Sequence, residues 1–309
     1  MSAPLFLSSG DLIADRRYDF ARDLESRGDL VAAAELMAQT VELAPGFTSA
    51  WFALGELSQQ LNQHGDAIRA YRKACEIDPA DRHGARLRLM RLGALELAEM
   101  PPDYVRTLFD HYAPRFEKAL VGDLNYRGPE ILLKAVLGIF HGTGRPAWFK
   151  RAADLGCGTG LAAREFAGHV GEFIGVDLSP KMIEQARLSG LYARLEVADM
   201  VQGLRAEPDQ SLDLVLAADA VIYLRDLAPL AKEAARVLRE GGILAFTAET
   251  HDGAGVILGA GLRHCHGADH VRAAIAAAGL ELASLSAASA REEKGEPVPG
   301  LVVVARKKA

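Results

Sequence analysis

The sequence predicts an all-α repeat region followed by an open, largely parallel α/β sheet of the nucleotide-binding kind. Three features predict it. Asp154-Leu155-Gly156-Cys157-Gly158-Thr159-Gly160 sits between an apolar run and an alanine-rich stretch, and Asp177 ends the next apolar run. A pattern of bulky, small and proline residues recurs upstream, with Pro45 and Pro79 standing 34 residues apart. Short apolar runs then alternate with helical periodicity through the second half.

Composition sets the outer bounds. With 309 residues, half of them apolar, there is core material for two ordinary domains. Net charge is −6 without a basic block, so no nucleic-acid partner is expected. Cys75, Cys157 and Cys265 are few and scattered, which suits a reducing compartment better than a disulfide framework. Residues 1–10 lack a basic n-region and no apolar run is long enough for a bilayer. A soluble, cytoplasmic protein with no membrane partner is expected.

In the first hundred residues, Trp51, Leu54, Gly55, Ala67, Tyr71, Ala74 and Pro79 alternate large and small side chains at helical spacing. A shift of 34 residues places Phe20, Ala21, Ala33, Met37, Thr40 and Pro45 at the corresponding positions. Small residues let paired helices approach, large ones fill the gaps, and each proline stops a second helix. The pattern resembles the tetratricopeptide repeat. That resemblance implies helical hairpins at 14–47 and 48–81 and an incomplete third copy, with a helix to about residue 99, in a domain over 1–100. Such a stack offers a concave surface to a peptide or protein partner. A packing platform or a homodimer contact is the plainer alternative, and both readings stay open. Pro101-Pro102 should begin a new helix in a connecting region over 101–146.

In the second half, 151–155 reads as a first strand, 161–169 as a helix, and 173–176 as a second strand delivering Asp177 at its carboxyl end. Gly156, Gly158 and Gly160 let backbone approach a ligand, and a strand-end acid can accept both hydroxyls of a ribose. A dinucleotide fingerprint needs its third glycine at 161, where Leu161 stands, so an NAD-linked dehydrogenase is disfavoured. Asp154, ahead of the turn, suits a cationic ammonium better than a pyrophosphate. Ser179-Pro180 caps a helix running to about 189, and 194–197 is a third strand ending in Ala198-Asp199-Met200. Residues 212–216 form a continuously apolar fourth strand that leads to Asp219 and Tyr223. A helix over 227–239, a Gly241-Gly242 turn, a fifth strand over 243–248 and a helix over 269–278 follow. Strands at 281–287 and 301–305 should close the sheet as an antiparallel hairpin around a charged loop, 292–300.

Acid-x-Gly-x-Gly-x-Gly with acids at the following strand ends resembles the class I S-adenosylmethionine-dependent methyltransferases. Phe109-Asp110-x-Tyr112-Ala113-x-x-Phe116, Leu124-x-Tyr126-Arg127-x-Pro129 and Gly295-x-Pro297-Val298-Pro299-Gly300 resemble bacterial methyltransferases that carry tetratricopeptide repeats. The resemblance implies a Rossmann-like seven-stranded sheet of order 3-2-1-4-5-7-6 over 147–309. It implies S-adenosylmethionine as cofactor, leaving as S-adenosylhomocysteine. Cofactor contacts are implied for Asp154, Gly156, Cys157, Gly158 and Gly160, then for Asp177, Leu178 and Met182, and then for Ala198, Asp199, Met200 and Asp219. For Met182, core packing is the competing reading. Tyr112, Tyr126 and Arg127 would face the methionine end or the acceptor, with packing as the alternative for the tyrosines. Tyr223 and Arg263 would join the acceptor wall.

His251 and His264 are candidates for taking a proton because histidine titrates near neutrality. His264-Cys265-His266 reads as a pocket wall ahead of a metal site, since three adjacent residues do not readily close one tetrahedron, and no metal is expected. Relatives acting on amide or base nitrogens usually carry Asn/Asp-Pro-Pro-Tyr after the fourth strand. This chain has Asp219-Ala220-Val221-Ile222-Tyr223 there, which argues against DNA adenine and glutamine as acceptors. Without a Pro-Cys dipeptide, thiol attack on cytosine is not expected either. The activity implied is methyl transfer to a small-molecule or protein acceptor, and a non-catalytic cofactor-binding scaffold is the alternative.

Overall fold

Asp11 and Asp29 start the first two helices, their carboxylates accepting backbone amides of Ile13 and Ala14 and of Ala32. A computed structural model of the protein describes residues 5–117, 124–142, 144 and 146–308. The first four residues of the expected 1–100 domain, residues 118–123, 143 and 145 of the connecting region, and residue 309 lie outside the described residues. The chain divides into two compact units, Met1–Tyr104 and Val105–Ala309.

The first unit holds α1 (Leu12–Ser26), α2 (Leu30–Leu43), α3 (Thr48–Gln60), α4 (His64–Ile77) and α5 (Ala85–Arg91). α1 packs on α2 and α3 on α4, the two hairpins expected. In the second hairpin a Cβ on Gly55 would stand 2.5 Å from the fully buried ring of Tyr71. The first hairpin meets the same demand differently. Its equivalents are Ala21 and the slimmer Met37, both wholly buried. Phe20 departs from the pattern and is 66% exposed, so the first copy lacks the large inward residue at that place. The third copy is shorter than expected. α5 ends after seven residues where Gly93 turns left-handed (φ 68), and the Ala94 amide closes back onto the Leu89 carbonyl at 2.9 Å.

α6 (Pro102–Tyr112) opens on Pro102, as expected. The second unit continues with α7 (Gly128–Gly138), β1 (Phe149–Leu155), α8 (Leu161–Phe166), β2 (Val170–Asp177), α9 (Pro180–Leu188) and β3 (Tyr192–Val197). Then come α10 (Met200–Arg205), β4 (Leu212–Ala217), α11 (Ala228–Val237), β5 (Leu238–Thr250), β6 (Val256–Leu258), β7 (His264–His266) and α12 (Ala268–Ala277). β8 (Leu280–Ala287), β9 (Glu292–Glu293), β10 (Glu296–Pro297) and β11 (Gly300–Lys307) close the chain. The long sheet runs β3-β2-β1-β4-β5-β11-β8, with β11 antiparallel to both neighbours. Counting these seven strands alone gives the expected order 3-2-1-4-5-7-6.

Both faces are covered. Leu301, Val303 and Ala305 of β11 point to a core shared with α11 and α12, whereas Val302 and Val304 point to one shared with α7 and α8. Two details differ from the sequence reading. β5 begins at Leu238 and runs through Gly241-Gly242, bulging against β4 so that Leu212 faces Leu238 and Leu214 faces Ile243. His264–His266, read from the sequence without a secondary structure of its own, is a short strand beside the carboxyl end of β5, pairing Cys265 with Glu249. No described helix is long and apolar enough to cross a membrane.

Candidate functional site

The β1–α8 turn has the three left-handed glycines its sequence demands, Gly156 (φ 66), Gly158 (φ 55) and Gly160 (φ 94). Their reasons differ. A Cβ on Gly156 would lie 2.5 Å from the Cβ of Ala220, so this glycine lets the residues after β4 approach the turn. A Cβ on Gly160 would press on the Tyr192 ring at 3.2 Å. At Gly158 the nearest atom would be 3.5 Å away, on the Phe116 ring, an ordinary contact that a side chain could make without displacing its neighbours. Asp177 ends β2 beside the turn. Its carboxylate accepts the Gly158 amide at 2.9 Å and the Ser179 amide at 2.8 Å, and burial pushes it up to about 6. A carboxylate has acceptor capacity beyond two amides, so these bonds aim Asp177 while leaving room for hydroxyls.

Other implied contacts have structural tasks. Asp154 is buried and takes the Tyr192 hydroxyl at 2.6 Å and the Ala163 amide of α8. Burial pushes its carboxyl up to about 6. Its two bonds brace the turn, and the sequence gave no sign of the first because Tyr192 is 38 residues away. Cys157 is buried, and its amide donates to the Val176 carbonyl at 3.0 Å. Met182 is wholly buried, in keeping with the core-packing reading. Asp199 caps α10 through one carboxylate oxygen, accepting Val201 and Gln202 amides. Ala198 donates to the Asp177 carbonyl at 3.0 Å, and half-buried Met200 packs on the main core.

α6 reaches the same end of the sheet. Asp110 accepts the Ser179 hydroxyl at 2.5 Å, and the Arg106 guanidinium donates to the Leu178 carbonyl at 3.4 Å. Phe109 packs edge-on against Tyr223, with ring centres 5.3 Å apart, and Tyr112 ends the helix half-buried. Residues 124–127 then form a strap on the β8–β9 connection, where Arg127 donates to the Ala290 carbonyl and Glu292 to that of Leu124, both at 2.8 Å. The strap brings Tyr126 into the electrostatic neighbourhood of Asp219, Arg291, Asp154 and Tyr223, and burial holds its hydroxyl well above its ordinary value. The Arg127 side chain does not follow. It is exposed and paired with Glu130 at 2.7 Å.

The acceptor side has a feature the sequence did not announce. Arg291, 4% exposed, bridges Asp219, Glu249 and Glu293, and Arg263 bridges Glu249 and Glu293. Burial works against the Arg291 charge, but Asp219 and Glu249 outweigh it and raise its pKa. Asp219 itself is left-handed (φ 57) and donates its amide to Thr247 Oγ1 at 2.8 Å. Burial raises the Asp219 carboxyl, opposed by Arg291. His251 sits half-exposed after β5, with the Gly253 amide on Nδ1 at 3.1 Å and the Gly255 carbonyl 3.3 Å from Nε2. His264 is wholly buried in β7. Among the described residues no group of His, Cys, Asp and Glu is arranged to hold a metal ion. In the first unit, Glu56, Gln59, Gln60, Tyr71 and Arg88 line a polar cavity of about 270 Å³.

Glycine turn, strand-end acid and sheet order define the second unit as a class I methyltransferase domain. Residues 153–246 match the family model of a methyltransferase domain, and residues 48–81 match that of the tetratricopeptide repeat. The second unit thus carries a methyltransferase domain and the first a tetratricopeptide repeat. It is 34% identical over 123 residues to human methyltransferase-like protein 27, covering 39% of this chain and 49% of that one. The aklanonic acid methyltransferase DauC of a Streptomyces species is 35% identical over 108 residues, 33% of this chain and 49% of that one. A ubiquinone biosynthesis O-methyltransferase of Xanthomonas oryzae is 32% identical over 97 residues, 30% of this chain and 41% of that one. The chain therefore spans about half or less of the length of these curated relatives. Among solved structures, the cyclase SpnF superposes with a TM-score of 0.53 at 18% identity, covering 70% of this chain and 98% of that one. The Burkholderia thailandensis 1,6-didemethyltoxoflavin-N1-methyltransferase, solved with its namesake compound and S-adenosylhomocysteine, gives 0.52 at 17%, covering 70% and 94%. These likenesses show the fold.

Proposed function

We propose that the protein transfers a methyl group from S-adenosylmethionine to a small-molecule or protein acceptor. The observation that carries this reading is the Asp177 carboxylate, aimed by two backbone amides beside a turn of three left-handed glycines. The residues fit the cofactor on their own chemistry. Asp177 would take the ribose hydroxyls, the left-handed backbone at Gly158 would lie along the amino acid portion, and the oxygen of Asp199 that does not cap α10 would take the adenine amine. When bound, the cofactor supplies an electrophilic methyl on a sulfonium. The chain's own work is then to hold the acceptor in line and keep water out. Tyr126, Tyr223, Phe109 and Phe116 supply the apolar walls, and Asp219 stands between the turn and the acceptor side. Where an acceptor arrives protonated, we keep His251 of the two histidines, because it is half-exposed at a strand end and His264 is wholly buried.

For the first unit we propose partner binding, supported by its polar cavity lined with a paired arginine and two glutamines. A pull-down with the full chain should recover a partner that is lost on Gln59→Ala with Arg88→Ala, and an unchanged partner set would favour a packing role. The cofactor reading is tested by calorimetric titration of S-adenosylhomocysteine. No heat of binding at high micromolar ligand would end it.

A further inference from the structure

The buried ion cluster on the acceptor side contains three carboxylates and two guanidiniums, and its members are held unequally. Glu249 is fixed in mid-sheet, paired in register with Gly300, where a Cβ would strike the Ala248 carbonyl at 3.1 Å and stand 2.5 Å from that of Ala288. Asp219 is fixed by its amide bond to Thr247. The Arg291 backbone is clamped on both sides by the strap at residues 124–127, and its carbonyl accepts Ser289 Oγ at 2.6 Å and the Val298 amide at 3.0 Å. Arg263 lies over Gly261, where a Cβ would overlap its guanidinium, so that glycine leaves a slot for it. Glu293 is different. It sits on a two-residue strand of the β9–β10 hairpin, whose turn, Lys294 (φ 53) and Gly295 (φ 80), points outward. Its side chain is 37% exposed, against 14% for Asp219 and 7% for Glu249.

We propose that Arg263 and Arg291 form a carboxylate site for the acceptor, occupied in this state by the chain's own Glu293. The acceptor is then a small organic acid whose carboxylate takes Glu293's place, and this rests on the methyltransferase reading for its chemistry. Exchange of one carboxylate for another leaves the charge of the cluster unchanged, so the buried arginines keep their partners and no charge is left alone. The planar guanidiniums match a carboxylate in geometry. Tyr223 lies within electrostatic range of both arginines, and its ring, packed edge-on against Phe109, provides an apolar wall for the body of the acid.

Benzoate and its uncharged analogue benzamide are the probes, titrated calorimetrically into the full chain with and without saturating S-adenosylhomocysteine. Glu293→Gln removes the internal competitor and should tighten benzoate by at least about tenfold, the scale of one charge-assisted contact, with benzamide unchanged. Adding Arg263→Met should abolish that gain. Glu293→Ala serves as a second variant, and unfolding midpoints near that of the natural chain show that both fold. The proposal is overturned if Glu293→Gln gains nothing for benzoate, gains equally for benzamide, or keeps its gain without Arg263. Failure of S-adenosylhomocysteine to bind would count against the methyltransferase reading alone, because benzoate is also measured in its absence.

Discussion

Asp177→Asn separates function from stability, and the structure sets both magnitudes. In the native fold the carboxyl titrates at about 6 against an ordinary 3.8. Its charge therefore costs roughly 3 kcal/mol at neutral pH, about 1.4 kcal/mol per unit. Asparagine removes that charge. It offers one oxygen to the two amides of Gly158 and Ser179, leaving the other facing an NH2 at a cost of about 1–3 kcal/mol. The two effects offset in part, so unfolding stability at pH 7 should rise by no more than about 2 kcal/mol. Cofactor affinity has no such compensation. Loss of charge-assisted bonds to the ribose should cost about 2–3 kcal/mol, or roughly thirtyfold to a hundredfold in Kd.

The pH dependence follows with its sign. Because the folded value lies above the unfolded one, this group favours folding increasingly as pH falls from about 6 towards 4, and its charge weighs against folding above 6. Affinity runs the other way. The natural chain should bind S-adenosylhomocysteine more weakly below pH 6, and the asparagine variant should lack that step. Calorimetry and urea unfolding on the same samples measure both. An affinity within about threefold of the natural chain would refute the role given to Asp177.

In the first unit, Gly55→Ala drives a Cβ to within 2.5–2.9 Å of three Tyr71 ring atoms. Overpacking of about 1–3 kcal/mol should outweigh a helix-propensity gain of about 1, and Tyr71→Met should recover part of the loss by reproducing the Ala21–Met37 pair. Urea unfolding checks it, and a stabilised Gly55→Ala would contradict the packing described. His83 sits 3.0 Å from Ser49 Oγ and against Phe52, and burial holds it down to about 4. The unfolded chain binds a proton that the fold refuses, so this group loses stability as pH drops from about 6.5 towards 4, by up to about 3 kcal/mol. His83→Gln should flatten that part of the pH–stability curve relative to the natural chain, and parallel curves would refute it. Gly156→Ala meets both a left-handed backbone and the Ala220 Cβ at 2.5 Å, and should abolish S-adenosylhomocysteine binding in calorimetry. Binding at the natural affinity would show that the turn tolerates the displacement.

Local chemistry was legible in the sequence. The glycine spacing, the strand-end Asp177, the capping Ser179-Pro180 and the 34-residue recurrence each express a constraint that acts within a turn or a helix pair, and each stands where it was read. The Arg127–Glu130 pair was also within local reach, since residues three apart share a helix face. What escaped was long-range. Tyr192 on Asp154, Asp110 on Ser179 and Arg291 on Asp219 join residues 38, 69 and 72 apart, and no periodicity marks such partners. β6 and β7 escaped because three-residue strands carry too little alternation to register. Glu292 and Glu293 read as part of a charged loop and Arg291, just before it, carried no signal, because its burial depends on bonds to the strap at residues 124–127.

The most direct measurement is a paired calorimetric titration of the full chain with S-adenosylhomocysteine and with NAD⁺, at a pH well above the value of about 6 to which burial pushes Asp177. A single saturable site for the nucleoside and none for the dinucleotide is the predicted result. Binding of NAD⁺, or of neither compound, would contradict the assignment of the glycine turn and Asp177 to an adenosyl amino acid.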